Sequence, residues 1–116
     1  MPLRILLVED EMTVAFMVED MLADLGHQVV AMAMRLPDAL KAAADLDVDL
    51  AILDVNLDGL RSFPVAAVLT GRGIPFAFAT GYGAAGIEEP FRDRPVLVKP
   101  FLQADLEQVL VMVHRR

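Results

Sequence analysis

Leu3-Arg4-Ile5-Leu6-Leu7-Val8-Glu9-Asp10-Glu11 (residues 3–11) sets an apolar run directly against three acids, and the arrangement recurs downstream. The run Leu-Ala-Ile-Leu at residues 50–53 ends in Asp54. Phe-Ala-Phe-Ala at residues 76–79 ends in Thr80, and Val96–Val98 ends in Lys99-Pro100. Short apolar runs bounded by polar residues read as strands buried on both faces of a parallel sheet. All the polar ends then leave the sheet at its carboxyl edge, where open α/β sheets bind their ligands.

A chain of 116 residues has room for one domain with a substantial core. Its hydrophobic fraction of 56% argues against disorder. No apolar stretch approaches the roughly 20 residues of a membrane span, and residues 1–4 do not open a signal peptide. A cytoplasmic protein with no membrane partner is therefore expected. With no cysteine there is no disulfide and no thiolate metal site. The net charge of −7 disfavours direct contact with nucleic acid, whose phosphates require a basic face.

Between the strand-like runs lie helical patterns. Residues 13–25 place Val14, Met17, Val18, Met21, Leu22 and Leu25 at spacings of three and four, one apolar stripe that stops at Gly26. The methionines, several of them here, read as core filler. Residues 28–32 form the second strand, and residues 38–46 an Ala-rich helix with Pro37 at its start. After the strand at 50–53, residues 55–59 make a loop whose turn signal is Asp58-Gly59. A third helix covers 63–71, a fourth strand 75–79, a fifth strand 96–98 and a closing helix 102–113. Residues 81–94 carry glycines at 81, 83 and 86 and only a weak helical pattern. Strands alternating with helices imply right-handed crossovers and a sheet covered on both faces. His27 and His114 have no partner at metal-ligand spacing and read as surface residues.

Taken singly, the polar strand ends have ordinary explanations. Glu9-Asp10-Glu11 can cap a helix, Asp54 and Thr80 can serve turns, and Lys99 can sit in solvent. Together they define a chemistry. Three carboxylates (Glu9, Asp10, Asp54) in one pocket raise one another's pKa unless a cation neutralises them. A hard divalent ion with oxygen ligands answers that, and magnesium suits a site that keeps waters and shares a phosphate oxygen. With Lys99 as point charge and Thr80 as hydroxyl donor, the set can handle a phosphoryl group, Asp54 being the nucleophile.

Val8-Glu9-Asp10-Glu11, Leu53-Asp54-Val55-Asn56, Thr80 and Lys99-Pro100-Phe101 together resemble the receiver domain of bacterial two-component response regulators, along the whole chain. The resemblance implies a flavodoxin-like, doubly wound α/β fold over residues 1–116, a five-stranded parallel (βα)5 sheet in the order 2-1-3-4-5. It implies that Asp54 accepts a phosphoryl group from a histidine kinase or a histidine phosphotransfer protein. Asp10, Asp54 and the backbone carbonyl of Asn56 would ligate magnesium, with Glu9 acting through a bound water. Lys99 would pair with Asp54 and then with the phosphoryl oxygens, Thr80 would move onto the phosphoryl group, and the Lys99–Pro100 peptide would be cis. Phe78-Ala79-Thr80-Gly81-Tyr82 resembles the FATGUY subset, in which the fourth helix is short or mobile; Gly81, Tyr82 and Pro100 join Thr80 as switch positions. Val96 stands where many receivers carry the Tyr or Phe of an aromatic switch.

Other readings fit less well. Haloacid-dehalogenase-type phosphatases carry Asp-x-Asp after a strand, and Asn56 cannot shuttle a proton as their second Asp does. In an FMN-binding flavodoxin, Glu9-Asp10-Glu11 would repel the phosphate. A degenerate receiver working as an unphosphorylated interaction domain would not need the intact Asp, Thr and Lys set. The chain is thus expected to be no enzyme beyond magnesium-dependent self-phosphorylation and autodephosphorylation. It is read as a stand-alone receiver, or a fragment cut after Arg116, that signals to a downstream protein target.

Overall fold

The computed structural model describes residues 2–114, with backbone only at Ala84. Five strands pair in parallel: β1 (Arg4–Val8), β2 (Gln28–Ala33), β3 (Leu50–Asp54), β6 (Phe76–Thr80) and β7 (Val96–Val98). Their spatial order is β2-β1-β3-β6-β7, the expected order once the five sheet strands are counted along the chain. Two further strands, β4 (Asn56–Leu57) and β5 (Leu60–Arg61), form a separate antiparallel hairpin where the sequence suggested a plain loop. Asp58 and Gly59 both have positive φ, 51° and 86°, as a two-residue hairpin turn of the type matching strand twist requires.

Every residue of β3 and β6 is buried. Side chains alternate across the sheet, so two cores form. Leu6, Val8, Leu53 and Phe78 face α2 (Leu36–Asp45) and α3 (Phe63–Gly71). Ile5, Leu7, Ile52 and Leu97 face α1 (Met12–Asp24) and α4 (Gln103–His114). Pro37 and Pro64 sit in the first turns of α2 and α3, where a missing N–H costs nothing. Gly26, with φ 87°, ends the first helix region as expected. No described helix is long and apolar enough to cross a membrane.

Three sequence expectations need correction. On α1 the buried residues are Ala15, Val18 and Leu22, while Met17 is 42% exposed. Val14, Met21 and Leu25 are partly buried against the same core, so Met17 alone of the expected stripe lies outside it. The methionines are core filler only in part: Met12, Met17 and Met112 are exposed, whereas Met21 and Met32 are partly buried against the core beneath α1. His27 is half-buried rather than on the surface; its Nδ1 accepts the Leu3 N–H at 3.1 Å, and burial lowers its pKa.

Between β6 and β7 no α-helix forms among the described residues, only a 3-10 turn over Gly83–Gly86. The (βα)5 pattern therefore carries four α-helices. Each glycine there costs about 1 kcal/mol of helix stability relative to alanine, and Gly83 adopts φ 61°. The space a fourth helix would cover is closed instead by Ile87 and Phe91, 1% and 7% exposed. Phe91 stacks on Phe63 with centroids 6.0 Å apart and meets Phe76 and Phe78 edge-on. Phe91→Ala is expected to cost about 3 kcal/mol, in the range for a buried aromatic truncation, read as a lower urea midpoint with an unchanged slope. A loss below ~1 kcal/mol would show that this aromatic plug is not what fixes the segment.

Candidate phosphoryl and metal site

The carboxyl ends of β1, β3, β6 and β7 converge at one edge of the sheet, as the sequence pattern required. Register does this: Val8 pairs with Leu53, Asp54 with Ala79, and Thr80 with Val98. Glu9 follows β1, with its backbone N–H donated to Ala33 at 3.0 Å, and Lys99 follows β7, its N–H donated to the Thr80 carbonyl at 2.8 Å. The four expected polar ends are thus neighbours although 90 residues separate Glu9 from Lys99.

Glu9, Asp10 and Asp54 each present a carboxylate oxygen, all within 4.8 Å of one another. Lys99 Nζ lies 2.7 Å from Glu9 Oε1 and 3.2 Å from Asp54 Oδ2, bridging the two buried acids. The expected Lys99–Asp54 pair is present, but Glu9 holds the shorter contact. Glu9 Oε2 also accepts the Glu11 N–H at 3.1 Å. Three carboxylates and one ammonium leave a formal excess of two negative charges, the charge of one divalent cation. The donor set is all oxygen and partly open to solvent at Asp10, which suits magnesium better than a soft metal.

The titration of these groups follows from the crowding. Burial and the neighbouring Glu9 charge push Asp54 up to about 7, with Lys99 opposing. Partial burial also acts against the charged form of Asp10. The Asp58 N–H at 2.9 Å from Oδ2, together with hydrogen bonds involving Glu9 and Asp54, outweighs it, so the Asp10 pKa is lowered. Burial disfavours the Lys99 ammonium, yet the Glu9 hydrogen bond and the Asp54 charge raise its pKa. Lys99 is therefore a fixed cation at neutral pH, Asp10 a fixed anion, and Asp54 the group poised between states.

Thr80 is 5% exposed, and its Oγ1 accepts the Tyr82 N–H at 3.1 Å, so its hydroxyl proton is free to point elsewhere. Tyr82 is 83% exposed and shields nothing in this state. The Lys99–Pro100 peptide is cis, as is Glu89–Pro90. Asn56 lies beside Asp54, its N–H 3.5 Å from Oδ1. A cavity of about 520 Å³ opens here, lined among others by Asp54, Asn56, Thr80, Gly81, Tyr82 and Arg61. Sequence reasoning missed Arg61 and Asp58. The Asp58-Gly59 turn between Leu57 and Leu60 was the signal, since a two-residue hairpin places residue 61 opposite Asn56.

Because the folded pKa of Asp54 lies above its unfolded value, the native state holds the proton more tightly between about pH 4 and 7. Metal-free stability then falls as pH rises through that window. Asp54→Asn is expected to stabilise the metal-free protein by on the order of 2 kcal/mol at pH 8, the gain vanishing near pH 4. Urea denaturation in chelator across that range checks it; a gain independent of pH would contradict the charge origin.

No protein-family model matches the chain. Among curated proteins it is 29% identical over 109 residues to the transcriptional regulatory protein PdtaR of Mycobacterium tuberculosis. That match takes in 90% of this chain, which spans about half, 53%, of the relative's length. Among solved structures, SdrG from Sphingomonas melonis Fr1 is 43% identical with a TM-score of 0.87, covering 97% of this chain and 96% of that one. The BeF3-activated conformation of SdrG from Pseudomonas melonis Fr1 matches at 44% identity and a TM-score of 0.82, over 96% and 95% of the two chains. The receiver domain of sensor histidine kinase PA1611 from Pseudomonas aeruginosa PAO1 was solved with magnesium coordinated in its active site cleft. It shares the fold at a TM-score of 0.83, with 24% identity and full coverage of both chains. On this likeness of sequence and fold, the chain belongs to the response regulator receiver domains.

Proposed function

We propose that residues 1–116 act as a phosphoacceptor receiver in which Asp54 is the phosphorylated residue. The observation that carries this is the Lys99 ammonium shared between Glu9 and Asp54 at 2.7 and 3.2 Å, beside three clustered carboxylates. Such a site has one titratable nucleophile, one fixed cation and one hydroxyl donor. Asp10, Asp54 and the Asn56 carbonyl are the proposed magnesium ligands, with Glu9 reaching the ion through water. When bound, magnesium supplies charge that offsets the carboxylates and the incoming phosphoryl oxygens.

The donor is a phosphohistidine of a kinase or a phosphotransfer protein. An Asp54 carboxylate oxygen attacks phosphorus, the new O–P bond forms as the P–N bond breaks, and the imidazole leaves with the electron pair and takes a proton. Lys99 then exchanges part of its contact with Asp54 for a phosphoryl oxygen. The Thr80 hydroxyl donates to another while continuing to accept the Tyr82 N–H. With a half-buried Val96 and no aromatic ring at that position, the signal leaves through Thr80, Gly81 and Tyr82 rather than through a rotating side chain. The output is a contact with a protein target, since a net charge of −7 disfavours direct contact with nucleic acid.

Intact mass after incubation with acetyl phosphate and magnesium is expected to show one added phosphoryl group, absent in Asp54→Asn. A wild type that stays unmodified, or an Asp54→Asn variant that is still modified, would remove Asp54 from this role. Magnesium is also expected to raise the wild-type melting temperature, as a ligand of the native state does. Asp10→Asn should abolish most of that rise. Identical magnesium responses in the two proteins would place the ion elsewhere.

A further inference from the structure

Arg61 ends the short hairpin opposite Asn56 and lines the same cavity as Asp54 and Thr80. Among the described residues lining that cavity it is the sole cation. Its side chain is exposed and bridges to the segment that lacks a helix. Nη1 donates to the Gly86 carbonyl at 3.1 Å, and the guanidinium lies 5.7 Å from the Phe63 ring centroid. The Gly86 bond is its one hydrogen bond among the described residues, so most of its five N–H donors are uncommitted.

We propose, resting on the reading of Asp54 as phosphoacceptor, that Arg61 is a phosphoryl-binding residue. On phosphorylation it exchanges the Gly86 carbonyl for a phosphoryl oxygen and so releases the Gly83–Gly86 turn. The competition between the two acceptors sets the direction. A backbone carbonyl is neutral, whereas a phosphoryl group carries about −1.5 to −2 charges and three strong acceptor oxygens. Charge-assisted bonds of guanidinium to phosphate are roughly twice as strong as neutral ones. Before phosphorylation the one carboxylate among the described residues lining the cavity is Asp54, which Lys99 already contacts at 3.2 Å. Phosphorylation adds the charge that tips the exchange.

The surrounding structure confines the effect. Upstream, Thr80 Oγ1 still holds Tyr82; downstream, Ile87 and Phe91 stay buried. Only the turn between those anchors loses a tie. A Cβ at Gly86 would meet only Arg61 Nη1, at 3.7 Å, so the guanidinium is the close side-chain neighbour of this end of the turn. Thr80 and Arg61 would thus act on the two ends of one short segment, the first retaining its hold as the second lets go.

Titration with beryllofluoride and magnesium tests this, followed by the 15N shift of Ile87, whose peptide nitrogen is bonded to the Gly86 carbonyl carbon. In the wild type the Ile87 resonance is expected to move on saturation toward the position it already holds in free Arg61→Ala. That variant should bind beryllofluoride about tenfold more weakly, the scale of one lost charge-assisted bond. Arg61→Gln, which can still donate to Gly86, should keep the wild-type Ile87 shift when free yet share the weakened affinity. Equal affinities in wild type and both variants, or a wild-type Ile87 resonance that does not move, would overturn the proposal. Intact mass with acetyl phosphate separates the two readings. A phosphoryl group gained by wild type and Arg61→Ala alike upholds Asp54 whatever Arg61 does, and a wild type that gains none removes the ground from both.

Discussion

The Lys99 ammonium, held between Glu9 and Asp54, is the contact around which the site is organised. Without a cation there, three carboxylates within 4.8 Å would share a partly buried pocket at a cost that no surrounding hydrogen bond could offset. With one cation the pocket is tolerable but still short of neutral. Burial and the Glu9 charge push Asp54 up to about 7, while hydrogen bonds involving the Asp58 amide and the neighbouring acids together keep Asp10 charged. The pocket is therefore not built for its own stability. Its excess negative charge suits it to further positive charge and, on the role proposed for Asp54, to a phosphoryl group. Strain of this kind, set against an otherwise apolar sheet, marks a functional site rather than a structural ion pair.

What supports that pocket is the apolar sheet beneath it. β3 and β6 are buried along their full length, and their register is locked by two cores that differ in partner helices. A one-residue slip of β3 would turn Leu53 and Asp54 each to the other face of the sheet. The position of Asp54 is thus fixed by Ile52 and Leu53, which have no part in the chemistry. The same holds for Lys99, placed by the three residues of β7 and by its backbone bond to Thr80.

Much of this was legible in the sequence for a physical reason. Strands buried on both faces need unbroken apolar runs, and polar residues can follow only where the sheet ends, so the runs and their acidic, hydroxyl and lysine endings announce both the strands and the site edge. Glu9, Asp10, Asp54, Thr80 and Lys99 were found in this way. Less legible were features that depend on what packs against what. Spacing gave Met17 to the buried stripe, but the width of the stripe is set by the sheet it meets, and Met17 lies outside it. His27 looked free because its partner, the Leu3 amide just before β1, is 24 residues away in the chain. The hairpin at residues 56–61 was readable in principle from Leu57-Asp58-Gly59-Leu60, and with it the placement of Arg61; a two-residue strand is too short to show any period.

The missing fourth helix links fold to function. A helix of three or four turns over β6 would bury its apolar face and hold Thr80 at a rigid N-terminus. Here the sequence spends glycines at 81, 83 and 86 and relies on Ile87 and Phe91 to seal the core. The seal is set by side chains well past the switch residue, so the stretch from Thr80 to Gly86 bears little of the packing load. Few contacts then oppose a change there: the Thr80–Tyr82 and Arg61–Gly86 bonds, each to a backbone group and each worth about 1 kcal/mol net. A phosphoryl group that takes the Arg61 guanidinium from Gly86 and the free Thr80 hydroxyl proton offers interactions of at least that size. The energy of one charge-transfer event is thus matched to the segment it must rearrange, which a fully packed helix at this position would have resisted.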